Sequence, residues 1–151
     1  MEKRKTDLTV AGYLVYNKKV LLIHHRKLDL WLPVGGHIDA NETPDEALKR
    51  EFKEEVNLEV EIVNYSNVPK EGNVKENCAL PFYTNVHSVG DHDHYCLFYV
   101  CSVQNPPQLK INHEVKNAAW FSLQELEQDH IPPDVRTIAH KAMEIFLSLR
   151  R

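Results

Sequence analysis

The sequence predicts an α/β fold in which a mixed β-sheet lies between helices. Three observations support this: short runs rich in Val, Leu and Tyr recur along the chain, a strongly capped helix interrupts them near residue 43, and the chain closes on an amphipathic helix. With 151 residues and a mass of 17.5 kDa there is room for one sizeable core, so residues 1–151 are expected to form a single domain.

Thr9–Tyr16 and Lys19–His25 read as a β-hairpin joined by the polar pair Asn17-Lys18. Trp31–Val34 reads as a short third strand that runs into Gly35-Gly36, where backbone can approach another group closely. Residues 37–42 form a loop before the helix. Thr43-Pro44-Asp45-Glu46 supplies an N-cap, a proline at the first helical position and a glutamate three residues after the cap, which is a capping box. The helix then runs to Val56, burying a stripe of Ala47, Leu48 and Phe52.

Leu58–Tyr65 alternates apolar and polar residues as a strand does, and Ser66–Asn77 is a loop. Ala79–His87 and His94–Val103 are two more strands, separated by a turn at Gly90-Asp91. Gln104–Lys110 is a proline-containing loop, and Ala118–Phe121 is a short strand. Ser122-Leu123-Gln124-Glu125 repeats the capping-box pattern and opens a short helix. After Pro132-Pro133, the residues Val135, Ile138, Ala142, Ile145, Phe146 and Leu149 return at helical spacing and should pack on the sheet.

Composition narrows the function. A net charge of −4 and a pI near 6.1 do not suit stable nucleic-acid binding, which needs a basic surface. Cys78, Cys96 and Cys101 are odd in number and lack Cys-x-x-Cys spacing, so neither a disulfide framework nor a cysteine zinc site is expected. The N-terminus is charged from residue 2 and no long apolar run follows, which predicts a cytoplasmic protein without a membrane span.

The chemistry is concentrated in the first helix. Glu51, Glu54 and Glu55 stand at i, i+3 and i+4, so they share one face of a single turn. Three like charges so close repel one another unless a cation neutralises them, and hard oxygen donors select hard cations such as Mg²⁺. Arg50 stands beside Glu51 and four residues before Glu54, where it can orient the carboxylates. Glu54 and Glu55 are expected to face solvent and metal, not the core.

The segment Gly36, five residues, Glu42, seven residues, Arg50-Glu51-Phe52, one residue, Glu54-Glu55, two residues, Leu58 resembles the signature of the Nudix hydrolases. Six such glycine or charged positions, each used about once in fifteen residues, coincide by chance in roughly one chain of this length in a hundred thousand. Asn57 stands where the pattern has a glycine; Asn is the other residue that tolerates a left-handed helix C-cap, at about 1 kcal/mol or less.

The resemblance covers nearly the whole chain and implies an α/β/α sandwich that hydrolyses the diphosphate linkage of a nucleoside diphosphate joined to another moiety. Carried over by position, it implies metal ligation by Glu51, Glu54, Glu55 and the Gly36 carbonyl, with Mg²⁺, or Mn²⁺ in its place, as cofactor. Glu51 is the first candidate for the proton acceptor, and Glu42 is expected to pair with Arg50 and steady the loop. Glu114, six residues before Trp120, is a candidate further ligand or base.

His25, Arg26 and His94 are candidate contacts to substrate phosphate or base, with the two histidines expected on the glutamates' face of the sheet. Nine histidines invite a zinc reading. His24 and His25 are adjacent in a strand and point opposite ways, and His92 and His94 have no third ligand at matching spacing, so no structural zinc is expected. The partner is then a small nucleotide derivative, with a homodimer left open. The alternatives are a nucleotide-binding sensor of the same fold without turnover, a class that often lacks a helix carboxylate this chain retains, and isopentenyl diphosphate isomerisation, which needs a cysteine in the cleft.

Overall fold

A computed structural model describes residues 3–149, so the extreme ends of the span 1–151 lie outside the described residues. The strands are β1 (Thr6–Tyr16), β2 (Lys19–His25), β3 (Leu30–Leu32), β4 (Val34–His37), β5 (Glu61–Ile62), β6 (Tyr83–Ser88), β7 (Asp93–Ser102) and β8 (Val115–Phe121). The helices are α1 (Pro44–Val56) and α2 (Pro133–Leu149), with a single 3-10 turn at Glu125–Glu127. Among the described residues, no helix is long and apolar enough to cross a membrane.

β1 organises the sheet. It runs parallel to β7 over most of its length, from Thr6 beside Asp93 to Leu14 beside Cys101, and antiparallel to β4, from Thr9 beside His37 to Gly12 beside Val34. Its end turns back into β2 through Asn17 and Lys18, whose φ values of 52° and 60° are those of a tight hairpin turn matched to strand twist. β2 in turn pairs with β3 and β8, and β7 with β5 and β6. One parallel pair among antiparallel ones makes the sheet mixed, as the element order predicts.

Thr9–Val15 is buried without a break, the pattern of a strand covered on both faces. Val10 and Leu14 pack with Leu48, Phe52 and Val56 of α1, whereas Ala11, Tyr13 and Val15 pack with Val135, Ala139 and Ala142 of α2. The result is the α/β/α sandwich. α1 lies close on the sheet because Gly12 has no side chain: a Cβ there would stand 2.6 Å from Phe52 Cε2. Burying Leu48 and Phe52 completely stabilises the contact by roughly 2–3 kcal/mol each.

Helix limits follow the caps. Thr43 Oγ1 accepts from the Glu46 N–H at 3.2 Å while Glu46 Oε1 accepts from the Thr43 N–H at 3.0 Å. Asn57 ends α1 in the left-handed conformation, φ 58° and ψ 41°. Ser122 and Glu125 form the same reciprocal bonds, yet only the 3-10 turn follows because Gln128 is already extended.

Several strand boundaries differ from the sequence reading: β1 begins at Thr6 and β8 at Val115, each three residues early, and three other segments change more. Trp31–Val34 is divided at Pro33, which has no N–H to give: β3 pairs with β2 and β4 with β1. Pro81 likewise delays β6 to Tyr83. Leu58–Tyr65 alternates as expected, with Leu58, Val60 and Ile62 in the core, but the ladder to β7 is limited to Glu61 and Ile62 and one further bond from the Val63 N–H to the Val100 carbonyl. In α2, Leu149 is exposed and Ala139 and Met143 take the buried positions.

Candidate active site

The carboxylates of α1 divide by depth, which corrects the expectation that Glu55 faces solvent as Glu54 does. Glu55 is 1% exposed and Glu51 8%, on the side of the helix that carries Leu48 and Phe52, whereas the Glu54 side chain is 46% exposed. Arg50 joins them: its guanidinium donates to Glu42 at 2.7 and 3.0 Å, to Glu51 Oε1 at 2.9 Å, to Glu54 Oε2 at 3.3 Å and to the His37 carbonyl at 2.9 Å. Glu42 Oε1 also accepts from the Asp39 N–H at 2.9 Å, so the pair pins the 37–42 loop to the helix as its spacing suggests.

Gly36 lies directly against Glu51. A Cβ at Gly36 would stand 2.5 Å from Glu51 Oε1, and neighbouring Gly35 points its N–H at Glu55 Oε1, 3.4 Å away. The lack of a side chain is what lets β4 and the carboxylates meet.

Glu114 stands immediately before β8, whose Val115 pairs with His25, and its loop is held at both sides. The Asn112 N–H donates to the Glu55 carbonyl at 3.2 Å, and Arg26 donates through its backbone N–H to the Glu114 carbonyl and through Nε to the His113 carbonyl, both at 2.9 Å. The Glu114 charge is near enough to push the Glu55 pKa up and that of His25 up as well. His25, whose Nδ1 accepts from the Leu28 N–H, has a net lowered pKa because burial outweighs that effect. The fold thus gathers Gly36, Glu51, Glu54, Glu55, Glu114 and His25, with Arg26 clamping the loop.

His94 does not join them. Cys96, Phe98 and Val100, at the same parity along β7, all pack with α2, so strand alternation puts His94 on the face away from α1. The expectation of a shared face is corrected on that ground.

Burial raises the pKa of both Glu51 and Glu55, the latter to about 9 as the Glu51 charge adds to desolvation. Arg50 is held firmly protonated by Glu42 and Glu51. One guanidinium shared among four carboxylates leaves this turn short of positive charge. An all-oxygen donor set with that deficit fits a hard divalent cation.

A family model described as the NUDIX domain matches residues 5–141. The chain belongs to the Nudix family. Among solved structures, a NUDIX-family hydrolase from Clostridium perfringens is 30% identical, with 93% of this chain and 97% of that chain covered and a TM-score of 0.81. A MutT protein from Methanosarcina mazei Go1 (14% identity, 97% and 99% covered, TM-score 0.74) and an Ap4A hydrolase from C. elegans (18% identity, 95% and 97% covered, TM-score 0.68) share the fold. A search of curated proteins gave no match.

Nudix hydrolases act in general on nucleoside diphosphate derivatives with a divalent metal, and the protein is an enzyme of that type. Sequence reasoning missed one constellation in this Nudix domain. Asp7, His37, His92 and His94 converge with one ligand atom each, all within 4.8 Å of one another. Spacing could not reveal it, because the residues come from β1, β4, β7 and the turn before β7, and only strand register brings them together.

Proposed function

We propose that this Nudix hydrolase cleaves the diphosphate linkage of a nucleoside diphosphate derivative, with Glu51, Glu54, Glu55, Glu114 and the Gly36 carbonyl holding Mg²⁺ or Mn²⁺. The observation that carries the reading is the buried pair Glu51 and Glu55, the first against Gly36 and the second at the Gly35 N–H, with exposed Glu54 on the same turn. Two carboxyl groups kept out of water and raised in pKa gain most from a cation.

The chemistry such a cation supplies when bound is neutralisation of diphosphate charge and acidification of a water. Glu51 is the proton acceptor for the attacking water, since it lies against Gly36 on the turn that would hold the cation and Arg50 orients its carboxylate. Arg50 fixes the orientation of Glu51 and Glu54 while keeping the 37–42 loop in place. Arg26 uses Nε on the His113 carbonyl and, among the described residues, its terminal nitrogens have no partner, so they and His25 meet substrate phosphate. Residues 1–151 act as one domain in this reading.

The test is a panel of nucleoside triphosphates, nucleotide sugars, dinucleoside polyphosphates and coenzymes, with and without Mg²⁺ or Mn²⁺, scored by product mass. Metal-dependent cleavage between phosphates of at least one class is expected. Saturable nucleotide binding with no product from any class, or equal turnover by the Glu51→Gln/Glu55→Gln double variant, would overturn it.

A further inference from the structure

Strand alternation gives β4 two different faces one residue apart. Gly36 looks toward α1 and the carboxylates, so His37 looks the opposite way. There it meets Asp7 and His94, which the parallel β1/β7 register sets side by side, and His92, which the turn closed by the Val89 N–H and the His92 carbonyl (3.0 Å) folds back over them.

The arrangement is that of a ligand set. His37 Nε2 stands 3.0 Å and His92 Nε2 3.5 Å from the same oxygen, Asp7 Oδ2, while Lys5 attends the other oxygen at 3.7 Å. The His94 ring lies 5.1 Å from both the His37 and the His92 rings, and its Nε2 is buried with no hydrogen-bond partner among the described residues. Asp91 sits 2.7 Å from His92 Nδ1, which orients the ring with its Nε2 toward Asp7. A bound cation would give that nitrogen, the Asp7 oxygen and the unpartnered His94 Nε2 a common partner. The His87 ring stands 5.6 Å from that of His94 and does not satisfy its Nε2, so the buried nitrogen is left without a partner among the described residues.

We infer that Asp7, His37, His92 and His94 form a second, structural metal site for Zn²⁺ or a similar transition ion, separate from the carboxylate turn of α1. Three imidazoles and one carboxylate match borderline-soft, tetrahedral coordination and not Mg²⁺. Bond lengths of about 2.1 Å put tetrahedral ligands roughly 3.4 Å apart, so a set already within 4.8 Å closes by small side-chain rotations. Four protein ligands leave no open position, the mark of a structural site. By tying β1, β4 and β7 together beside Gly36, the ion holds the strand on which the carboxylates rest.

The experiment loads chelator-stripped full-length protein with Zn²⁺ in the presence of a competing chromophoric chelator, counts retained metal by mass spectrometry and records melting. One Zn²⁺ per chain and a higher Tm are expected. The ion should persist in Glu51→Gln/Glu55→Gln and be lost, with its Tm increment, in His37→Asn/His92→Asn. Because those histidine changes can disturb folding, Co²⁺ is also bound to the unmodified protein, where intense visible absorption of tetrahedral Co²⁺ is expected. No retained Zn²⁺, retention that follows the glutamates instead of the histidines, or an octahedral Co²⁺ spectrum would each overturn the inference.

Discussion

The two faces of β4 show two ways of assembling donor groups. On the α1 face, four carboxylates and an arginine are drawn mainly from one helix and its leading loop, so their spacing in the chain is their spacing in space. On the other face, Asp7, His37, His92 and His94 lie up to 87 positions apart and meet only because β4 and β7 flank β1 in one register. The first set is all oxygen and short of positive charge. The second is mainly nitrogen and gathered around one oxygen. A cluster built on a helix can be read from sequence; one built on strand pairing cannot be read without the sheet.

The largest effects are expected on the α1 face. Glu54→Gln and Glu55→Gln should each lower kcat by on the order of 10³-fold, since each weakens the charge that holds a metal worth several kcal/mol to the reaction. The two variants should then part in stability. Glu54 is exposed and its replacement should leave Tm within a degree or two, whereas Glu55 is buried against the core, and a neutral amide there relieves desolvation, so Tm of the metal-free protein should rise. Steady-state kinetics with calorimetric melts of both variants decide this. Unchanged kcat in either would break the assignment of that face.

Gly36→Ala comes next. The added Cβ would stand 2.5 Å from Glu51 Oε1, and moving that carboxylate by about 1 Å is expected to reduce kcat roughly 10²-fold. The His37 face should be unaffected, so Zn²⁺ retention in this variant sharpens the contrast between adjacent residues of one strand. Parallel kinetic and metal-content measurements check both halves.

Why one face was legible and the other not has a physical basis. The capping box, Pro44, Arg50 and the i, i+3, i+4 glutamates are local signals, and Thr43 and Asn57 set the helix limits where the sequence implies. Spacing also places the glutamates on one face but not at one depth: Glu55 lies between the buried Phe52 and Val56, and only packing against β4 shows it to be inside. His92 and His94 were visible as a pair, whereas His37 and Asp7 could not be added without knowing that β4 and β7 both border β1. The alternation of Leu58–Tyr65 marks core contact correctly but overstates the ladder, because burial and pairing are separate properties.

A pH experiment separates the faces in a different way. The Glu55 pKa is raised from 4.5 to about 9, so between these values the folded, metal-free protein holds a proton that the unfolded chain has released. Stability from this group is present below about pH 4.5 and is lost as pH rises toward about 9. Thermal melts in chelator should therefore show Tm falling from pH 6 to pH 9. Glu55→Gln should flatten that slope, and excess Mg²⁺ should as well, by stabilising the ionised pair. A Tm that climbs across the same window in metal-free protein would contradict the buried, protonated state.

The smallest effect belongs to a residue that touches neither set. Asn57 closes α1 at φ 58° and ψ 41°, where a glycine carries no side-chain penalty, so Asn57→Gly should raise stability by at most about 1 kcal/mol, a few degrees in Tm. Its N–H still reaches the Lys53 carbonyl, and neither donor set moves, so kcat and Zn²⁺ retention should equal those of the unmodified protein. A Tm gain accompanied by altered kcat would mean that the end of α1 shifts the Glu54–Glu55 turn; depth of the carboxylates would then be set by the cap as well as by β4, and the helix face would be less self-contained than its spacing implies.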